Sequence, residues 1–585
     1  MPLLKLLPGS FPGPFFTPYY INDVPDYNPI QMKGSRALLK MLEDRDVETM
    51  FGYPGGAVIP IYDEIRDSSI RHVLVRHEQC AAHAADGYAR ASGKTGVCLS
   101  TSGPGATNMV TGIATAYADS IPMLALTGQV GSKVLGSEAF QEVDAYSLMM
   151  SVTKHNFRVT DVKRLPHAIN EAWKIAQSGR PGPVHVDLPV DQINAQIDEE
   201  LLYQEFGIKE PTEDVSGLAD AVALIKSSVK PVIMAGGGVI AANASEELVR
   251  FAELISAPVV TPMMGIGSIP TQHPLNMGPL GMHGRICAKE AFTEADLVIA
   301  VGTKFSDRTY SPHTAPGMKC GVIQIDIDGT QFGKSNRTSV NLKCDAKKAL
   351  QMLIDAVGNT AVHDSWARTA KGYKERRNVD FNYFTHPIIP QKVMWELNKF
   401  IDNDTIITTD VGQNQMWAMH FLDIKRPRQF LSSGSFGTMG FGLPAAIGAK
   451  AARPDCKVAT VVGDGGLQMV IQELATSVAE DLPVVIVLLN NGWLGMVKQW
   501  QKLFWDKRYS ETLLEDDPDF VQIAKAYKAE GITVERAGEV QDALKFAFDC
   551  GKTCIVDIHV DPEEDILPML PPDPSIPPIE GRCAY

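Results

Sequence analysis

No two of the nine cysteines stand in a CxxC pair, and they are scattered from Cys80 to Cys583. An odd, unpatterned set argues against a disulfide framework and against a zinc site, and favours a reducing compartment, the cytoplasm. No apolar run approaches the ~18 residues of a membrane helix. The longest clean one, Val484 to Leu489, is bounded by Pro483 and Asn490 and reads as a buried strand. Runs of like charge are missing too: 54 Lys and Arg face 69 Asp and Glu, for a net charge of −15. That balance argues against nucleic acid or an anionic membrane as a partner, and leaves any anionic ligand in need of a local positive device. The first 30 residues carry one basic side chain, Lys5, beside seven prolines and the aromatic cluster Phe15, Phe16, Tyr19 and Tyr20. This fits neither a secretory signal nor a transit peptide and is expected to be an arm packed on a neighbouring subunit.

What is present is an average globular composition, 45% hydrophobic and 21% charged over 585 residues. At ~100 to 200 residues per domain, three or four cores are expected. Short β-branched runs alternate with amphipathic or alanine-rich stretches in three blocks, the pattern of doubly wound parallel α/β sheets. The first block, 31–195, has strands at Val73 to Arg76, Val97 to Thr101, Met123 to Thr127 and Val184 to Leu188, with a helix over Glu78 to Ser92. A polar stretch from Gln196 to Ser216 reads as a linker. The second block, 217–357, carries strands at Pro231 to Ala235, Leu297 to Val301 and Val322 to Ile327, and a charged helical linker (358–388) leads to a third block, 385–560. A tail, 561–585, contains the Pro-rich segment Leu567 to Pro578 and is expected to lie extended over another part of the molecule. The first and third blocks look alike, as two related domains facing one ligand would.

In the third block a strand, Val458 to Val462, runs into the glycine turn Gly463-Asp464-Gly465-Gly466, a helix over Leu467 to Glu480, a second strand to Leu489, and then Asn490-Asn491. A right-handed crossover sets the two strand ends side by side, so the Asp464 carboxylate and the Asn491 amide oxygen come within reach of one ion. Two hard oxygens with a single charge suit Mg²⁺ completed by diphosphate oxygens better than zinc or calcium.

That turn and Asn pair form the thiamine-diphosphate (ThDP) signature, and the chain from about 31 to 570 resembles the catalytic subunit of acetohydroxyacid (acetolactate) synthase. The strings carrying the resemblance are Phe51-Gly52-Tyr53-Pro54-Gly55-Gly56, His77-Glu78-Gln79, Thr101 to Asn108, Ala139-Phe140-Gln141-Glu142, Gly281-Met282-His283-Gly284, Gly437 to Gly442, and Leu494 to Trp500. The resemblance implies three domains: one binding the ThDP pyrimidine, a central one binding FAD, and one binding the diphosphate and Mg²⁺. It implies decarboxylation of pyruvate and transfer of the two-carbon unit to a second pyruvate or to 2-ketobutyrate, in a homodimer or tetramer with sites at the subunit interface and with room for a small regulatory subunit. Glu78 becomes the acid that activates the cofactor of the facing subunit, with Gln141 and Lys154 beside it. Gly412, Gln413, Asn414, Met439 and Met496 join Gly463, Gly465 and Gly466 around ThDP, and Trp493 joins Asp464 and Asn491 at the metal. The flavin positions are Arg180, Gly236, Gly237, Gly238, Met264, Gly281, Met282, His283, Gly302, Asp307, Arg308, Asp326, Ile327 and Asp345. Phe140, Val497, Trp500 and Gly55 line the substrate chamber, where Trp500 favours 2-ketobutyrate, and Arg308 either holds the acceptor carboxylate, for which it is the best candidate, or is taken up by the flavin.

Several positions depart from the family pattern. Lys304, Ser306 and Pro262 stand where Arg, Asp and Thr are usual near the flavin, Gly131 and Val190 replace Pro and Lys at the access channel, and Asn414 replaces a His. Trp493, in the segment after the Asn pair, departs too. Gly131 and Val190 are expected to weaken sulfonylurea inhibition. The alternatives are another ThDP-dependent carboligase, decarboxylase or oxidase of altered acceptor, and a non-catalytic interaction homologue. Glu78, Trp500 and the intact metal ligands argue against them.

Overall fold

The computed structural model describes residues 30–204, 212–310, 320–334, 338–358, 363–375, 386–516, 518–571, 573 and 575–579. The arm expected at 1–30 lies, apart from Ile30, outside the described residues.

Three six-stranded sheets, each all parallel, form the three domains. The first runs in space Arg71–Leu74, Thr49–Gly52, Gly96–Ser100, Met123–Gln129, Pro183–Pro189, His155–Arg158. The third runs Phe430–Leu431, Thr405–Thr409, Lys457–Gly463, Val485–Asn490, Cys554–His559, Glu530–Val534. Numbered along the chain, both have the order 2-1-3-4-6-5, so the likeness of the two blocks extends to topology. The central sheet runs Asn276–Pro279, Val259–Thr261, Pro231–Ala235, Leu297–Val301, Gly321–Asp326, Val340–Lys343, the 3-2-1-4-5-6 order of dinucleotide-binding folds. Its middle strands are apolar and buried along their whole length, as a sheet covered by helices on both faces requires.

The domains meet through close backbone contacts and buried charge. Helix Glu78–Ser92 crosses helix Gly442–Ala452 so tightly that a Cβ on Gly87 would fall 2.2 Å from the Ala445 carbonyl oxygen, and one on Gly448 1.9 Å from that of Ala84. Only glycine fits at such a crossing. Arg90, from the end of the first helix, pairs with Asp86 and, at 2.9 Å, with Asp119, and donates to the Ser432 carbonyl. Asp119 in turn accepts the Gly434 and Ser435 amides. This buried and fully bonded cluster holds the first domain against the loop that leads to Met439.

Three sequence expectations are corrected. The linker read at Gln196 to Ser216 begins with a strand, Gln196–Asp198, paired antiparallel to Gln31–Lys33. The helix read over Leu467 to Glu480 is two short ones, Asp464–Gln468 and Glu473–Ala479. The helix of the second linker, Asp364–Glu375, belongs to the central core: Trp366, Ala370 and Tyr373 are buried with Phe292, and the Trp366 indole N–H reaches the Pro231 carbonyl at 3.0 Å. The tail, expected to lie extended, doubles back on itself among its described residues while its first part packs on the rest of the molecule. Ile566, Met569 and Leu570 are buried, Met569 pairs with Ile579, and the Leu570 amide donates to the Met282 carbonyl at 2.8 Å.

Candidate active site

In a 2-1-3-4-6-5 sheet the strand order reverses between the first and third strands, and ligands bind beyond the strand ends at that point. In the first domain this places the loops after Thr49–Gly52 and Gly96–Ser100 together, and a Cβ on Gly55 would lie 2.5 Å from Thr101. Glu78 stands at the same corner, in the first turn of its helix, with the ring of His77 capping the Gln79 amide. Its Oε2 accepts from the Asn108 side chain at 2.9 Å, and a Cβ on Gly105 would come 3.5 Å from its Oε1. Gln141 joins this corner through its backbone, which packs against Gly103 in a left-handed conformation at φ 59°. Phe140 beside it is 88% exposed.

In the third domain the reversal falls between Thr405–Thr409 and Lys457–Gly463, and the expected metal ligands converge there. Asp464 Oδ1 accepts the Gly465 amide at 2.7 Å, and its Oδ2 accepts the amides of Asn491 at 3.0 Å and Gly492 at 2.7 Å. The carboxylate thus spans two adjacent strand ends, with the Asn491 amide oxygen held nearby by the Trp493 amide at 3.0 Å. One buried carboxylate, one amide oxygen and a ring of backbone N–H groups fit Mg²⁺ bound with a diphosphate, since this donor set supplies one charge and leaves most coordination positions to the ligand. Trp493 adds an aromatic face, with the Lys498 ammonium 4.2 Å from its ring centre.

Two cofactor candidates are held by hydrogen bonds within the protein. Gln413 donates to Gln499 at 2.9 Å and accepts from the Asn491 side chain at 3.4 Å, so it links the metal turn to the next helix. The Asn414 amide nitrogen donates to the carbonyls of Asp410 at 3.0 Å and Val461 at 2.9 Å, tying the two strand ends together. Sequence reasoning missed Asp410. This fully buried carboxylate accepts the amides of Val411, Gly440 and Gly442, and a Cβ on Gly466 would lie 2.5 Å from it. Burial pushes its pKa up to about 6. Asp410 thereby joins the metal turn to the turn bearing Met439, whose methyl lies near Gly465.

The three domains enclose a cavity of about 1390 Å³. Every expected flavin position except Gly236 is on its wall, from Arg180 through Gly302 to Asp345. The cavity opens where the central strand order reverses, between Pro231–Ala235 and Leu297–Val301. There a Cβ on Gly236 would fall 2.3 Å from the Gly302 carbonyl oxygen, and one on Gly238 2.7 Å from its Cα. Asp326, at the end of the neighbouring strand, is lifted to about 6 by burial. A cavity at the dinucleotide position, lined by close-packed glycines and a strand-end carboxyl, fits a flavin dinucleotide. The departures Lys304, Ser306 and Pro262 are also on the wall, and the Lys304 ammonium donates to the Ala118 carbonyl at 2.6 Å.

The cavity continues into the third domain as far as Met496 and Trp500. The Arg308 guanidinium lies 5.9 Å from the Trp500 ring centre, and the indole N–H is buried without a partner among the described residues. Val497, on the same helix, is half exposed. Lys154 is elsewhere in this chain. It precedes strand His155–Arg158, at the sheet edge opposite the strand ends that carry Glu78, and its ammonium bonds the Ile175 and Ser178 carbonyls at the end of helix Leu165–Gln177. Partial burial lowers its pKa to about 8.

The chain matches the N-terminal binding domain of thiamine pyrophosphate enzymes over residues 32–148, their central domain over 218–353 and their C-terminal binding domain over 410–558. The fold and the metal turn thus define a ThDP-dependent enzyme. It is 47% identical to the probable acetolactate synthase large subunit of Methanocaldococcus jannaschii, over 92% of this chain and 94% of that protein. Identity is 43% to the acetolactate synthase large subunit of Corynebacterium glutamicum (93% and 89% covered) and 40% to the isozyme 2 large subunit of Escherichia coli (93% and 98%). The chain belongs to the acetolactate synthase large-subunit family.

Proposed function

We propose that the chain decarboxylates pyruvate and joins the remaining two carbons to a second pyruvate or to 2-ketobutyrate. The products are CO₂ with 2-acetolactate or 2-aceto-2-hydroxybutyrate, precursors of branched-chain amino acids. The observation that carries this reading is the pairing of Arg308 with Trp500: a cation for the acceptor's carboxylate and an aromatic face for its short alkyl chain, in one cavity wall. ThDP, when bound, supplies the nucleophilic carbon and the electron sink. Asp464 and Asn491 hold Mg²⁺ and through it the diphosphate, and Asp410 keeps the Met439 turn in register with them. Glu78, oriented by Asn108, supplies the carboxyl that hydrogen-bonds the pyrimidine.

FAD occupies the central cavity, a reading supported by its close-packed glycines and strand-end carboxyl. A second copy of the chain completes the site as a homodimer or tetramer. Supporting this, Phe140, Ile59 and Met150 of the first domain and Phe436, Met469 and Val497 of the third are exposed apolar side chains. The name "large subunit" of the relatives supports a small regulatory partner. Among the described residues no helix is long and apolar enough to cross a membrane, and the cysteine pattern supports the cytoplasm.

The test is a product assay on the purified chain with ThDP, Mg²⁺ and FAD, given pyruvate with and without 2-ketobutyrate and read by mass spectrometry. Both acetohydroxy acids are expected. Acetaldehyde, or acetate with peroxide, would assign a different reaction.

A further inference from the structure

Strand Arg71–Leu74 is the outer edge of the first sheet, so every second amide along it and its continuation faces away from the sheet. The Val75 amide turns inward, to the Gly52 carbonyl at 3.3 Å. Those on either side turn outward and are met by side chains of the third domain rather than by another strand. The Leu74 amide donates to Glu480 Oε1 at 3.2 Å, the Leu74 carbonyl lies 3.3 Å from Thr476 Oγ1, and the Arg76 amide donates to Glu473 Oε1 at 2.9 Å. These three partners belong to helix Glu473–Ala479 and its end, just after the metal turn. Glu473 is completely buried, and its other oxygen accepts from Thr476 Oγ1 at 2.6 Å, with the Cys80 thiol also bonded to the carboxylate. A completely buried carboxylate with three donors and no ion pair among the described residues is an unusual group to bury unless the groups it holds matter. What it holds is the backbone at Arg76 and, through Cys80, the first turn of the helix that begins at Glu78.

We propose that Glu473 is the positioning residue for Glu78: its buried carboxylate fixes the chain two residues ahead of Glu78 and two residues beyond it, and so sets where the Glu78 carboxyl lies. The inference rests on the reading of Glu78 as the cofactor-activating acid. It assigns Glu473 no contact with cofactor or substrate. Its role is to lock the activating corner of the first domain to the helix behind the metal turn.

The direct readout of activation is the rate at which the thiazolium C2 proton of bound ThDP exchanges with deuterium, measured by quenched NMR on the full-length holoprotein. In Glu473→Asp the charge is kept and the reach is one methylene shorter. In Glu473→Leu the acceptor is lost. Exchange should slow by ~10- to 100-fold in both, the size expected when a catalytic group is misplaced by about 1 Å, with ThDP still bound at wild-type stoichiometry. Glu473→Gln should stay within ~3-fold of wild type, because its carbonyl still accepts the Arg76 amide and its NH₂ donates to Thr476 Oγ1, which then turns its own proton to the Leu74 carbonyl. If Leu fails to fold, the Asp variant decides alone. Glu78→Gln is the parallel control. Wild-type exchange in Glu473→Asp beside slow exchange in Glu78→Gln would overturn the inference and leave the reading of Glu78 standing. Wild-type exchange in Glu78→Gln would overturn that reading, and the inference with it.

Discussion

The guanidinium of Arg308 sits 5.9 Å from the centre of the Trp500 ring, joining the central domain to the helix Gly495–Phe504 of the third. Met282 extends the contact, since its sulfur lies 3.9 Å from Arg308 Nη1 while its carbonyl accepts the Leu570 amide of the tail. An acceptor with one extra methylene gains only ~1 to 3 kcal/mol from such a face, or ~10- to 200-fold in selectivity. Trp500→Leu should therefore cut the preference for 2-ketobutyrate over pyruvate by at least ~10-fold while acetolactate formation persists. A competition assay with both acceptors reads the ratio directly, and an unchanged ratio would remove Trp500 from the chamber.

Asp464 provides the only charge at the metal turn among its proposed ligands, and three backbone amides orient it. Replacing it with Asn keeps the shape and removes the charge. Loss of a group that merely orients a ligand costs ~10- to 100-fold in metal affinity, so loss of the charged ligand itself should cost at least that. Titration of Mg²⁺ against ThDP retention in Asp464→Asn is expected to shift by ~100-fold or more. A shift below ~10-fold would place the metal elsewhere.

Gln499 is buried and holds the tail by two reciprocal bonds, each 2.9 Å, between its amide and the backbone N–H and C=O of Ile566. Its oxygen also takes the Gln413 amide. Gln499→Leu keeps the volume and deletes all three bonds, at ~1 kcal/mol apiece. Hydrogen exchange over residues 561–571 should accelerate by ~10-fold or more while the sheet cores remain protected. Equal protection in the variant would show that Lys498, which bonds the Pro562 carbonyl and Glu563, anchors the tail by itself.

Much of the site was legible because the chemistry is written in short contiguous strings. The turn around Asp464 and the Asn491 pair needed only the crossover rule to be brought together, and the central glycines announced a close approach that the strand order then explained. What stayed hidden depends on partners far away in sequence. Asp410 ends its strand like any polar residue, and only the fold shows it beneath Gly440 and Gly442. The strand at Gln196–Asp198 has no pattern of its own and exists because Gln31–Lys33 comes to pair with it. Lys154 and Asn414 are candidates whose side chains the fold already engages with backbone. Their residue types suit chamber and phosphate contacts, but the ammonium of one and the amide of the other are taken up by backbone carbonyls at a helix end and at two strand ends.

Several histidines are buried as neutral rings, which makes folding sensitive to mild acid. Burial, aided by the nearby Arg158, lowers the His185 pKa to about 3, while Nε2 stays bonded to Thr127 Oγ1 at 2.7 Å. The unfolded ring titrates near 6.5. Between these values the unfolded state binds the extra proton, so stability present above about pH 6.5 is lost as pH falls, at up to about 1.4 kcal/mol per pH unit for each such ring. His185→Gln keeps a hydrogen-bonding group opposite Thr127 and does not titrate. Denaturant unfolding between pH 6 and 4 should show a shallower pH slope in the variant, by about that amount, and equal slopes would mean His185 is protonated in the folded protein.

Gly131 offers a change that should stabilise the fold and alter the access channel at once. Its φ is −55°, the value a proline ring imposes, and a Cβ placed there has 3.8 Å to the Asp191 carboxylate, an ordinary contact. The following turn does not depend on flexibility at this residue, because the Ser132 amide is bonded to Asp191 at 2.8 Å and the Val134 amide to the Gly131 carbonyl at 2.9 Å. Gly131→Pro should thus restrict the unfolded chain without straining the folded one, raising stability by about 0.4 to 1 kcal/mol. The family resemblance leads one to expect a proline at this position, at the mouth of an access channel that Gly131 and Val190 are expected to widen, so the substitution is expected to narrow it. Inhibition by a sulfonylurea should accordingly be weak in the native chain and stronger in the variant. A raised melting temperature with unchanged inhibition would confirm the backbone argument and show that Gly131 is not on the inhibitor's path.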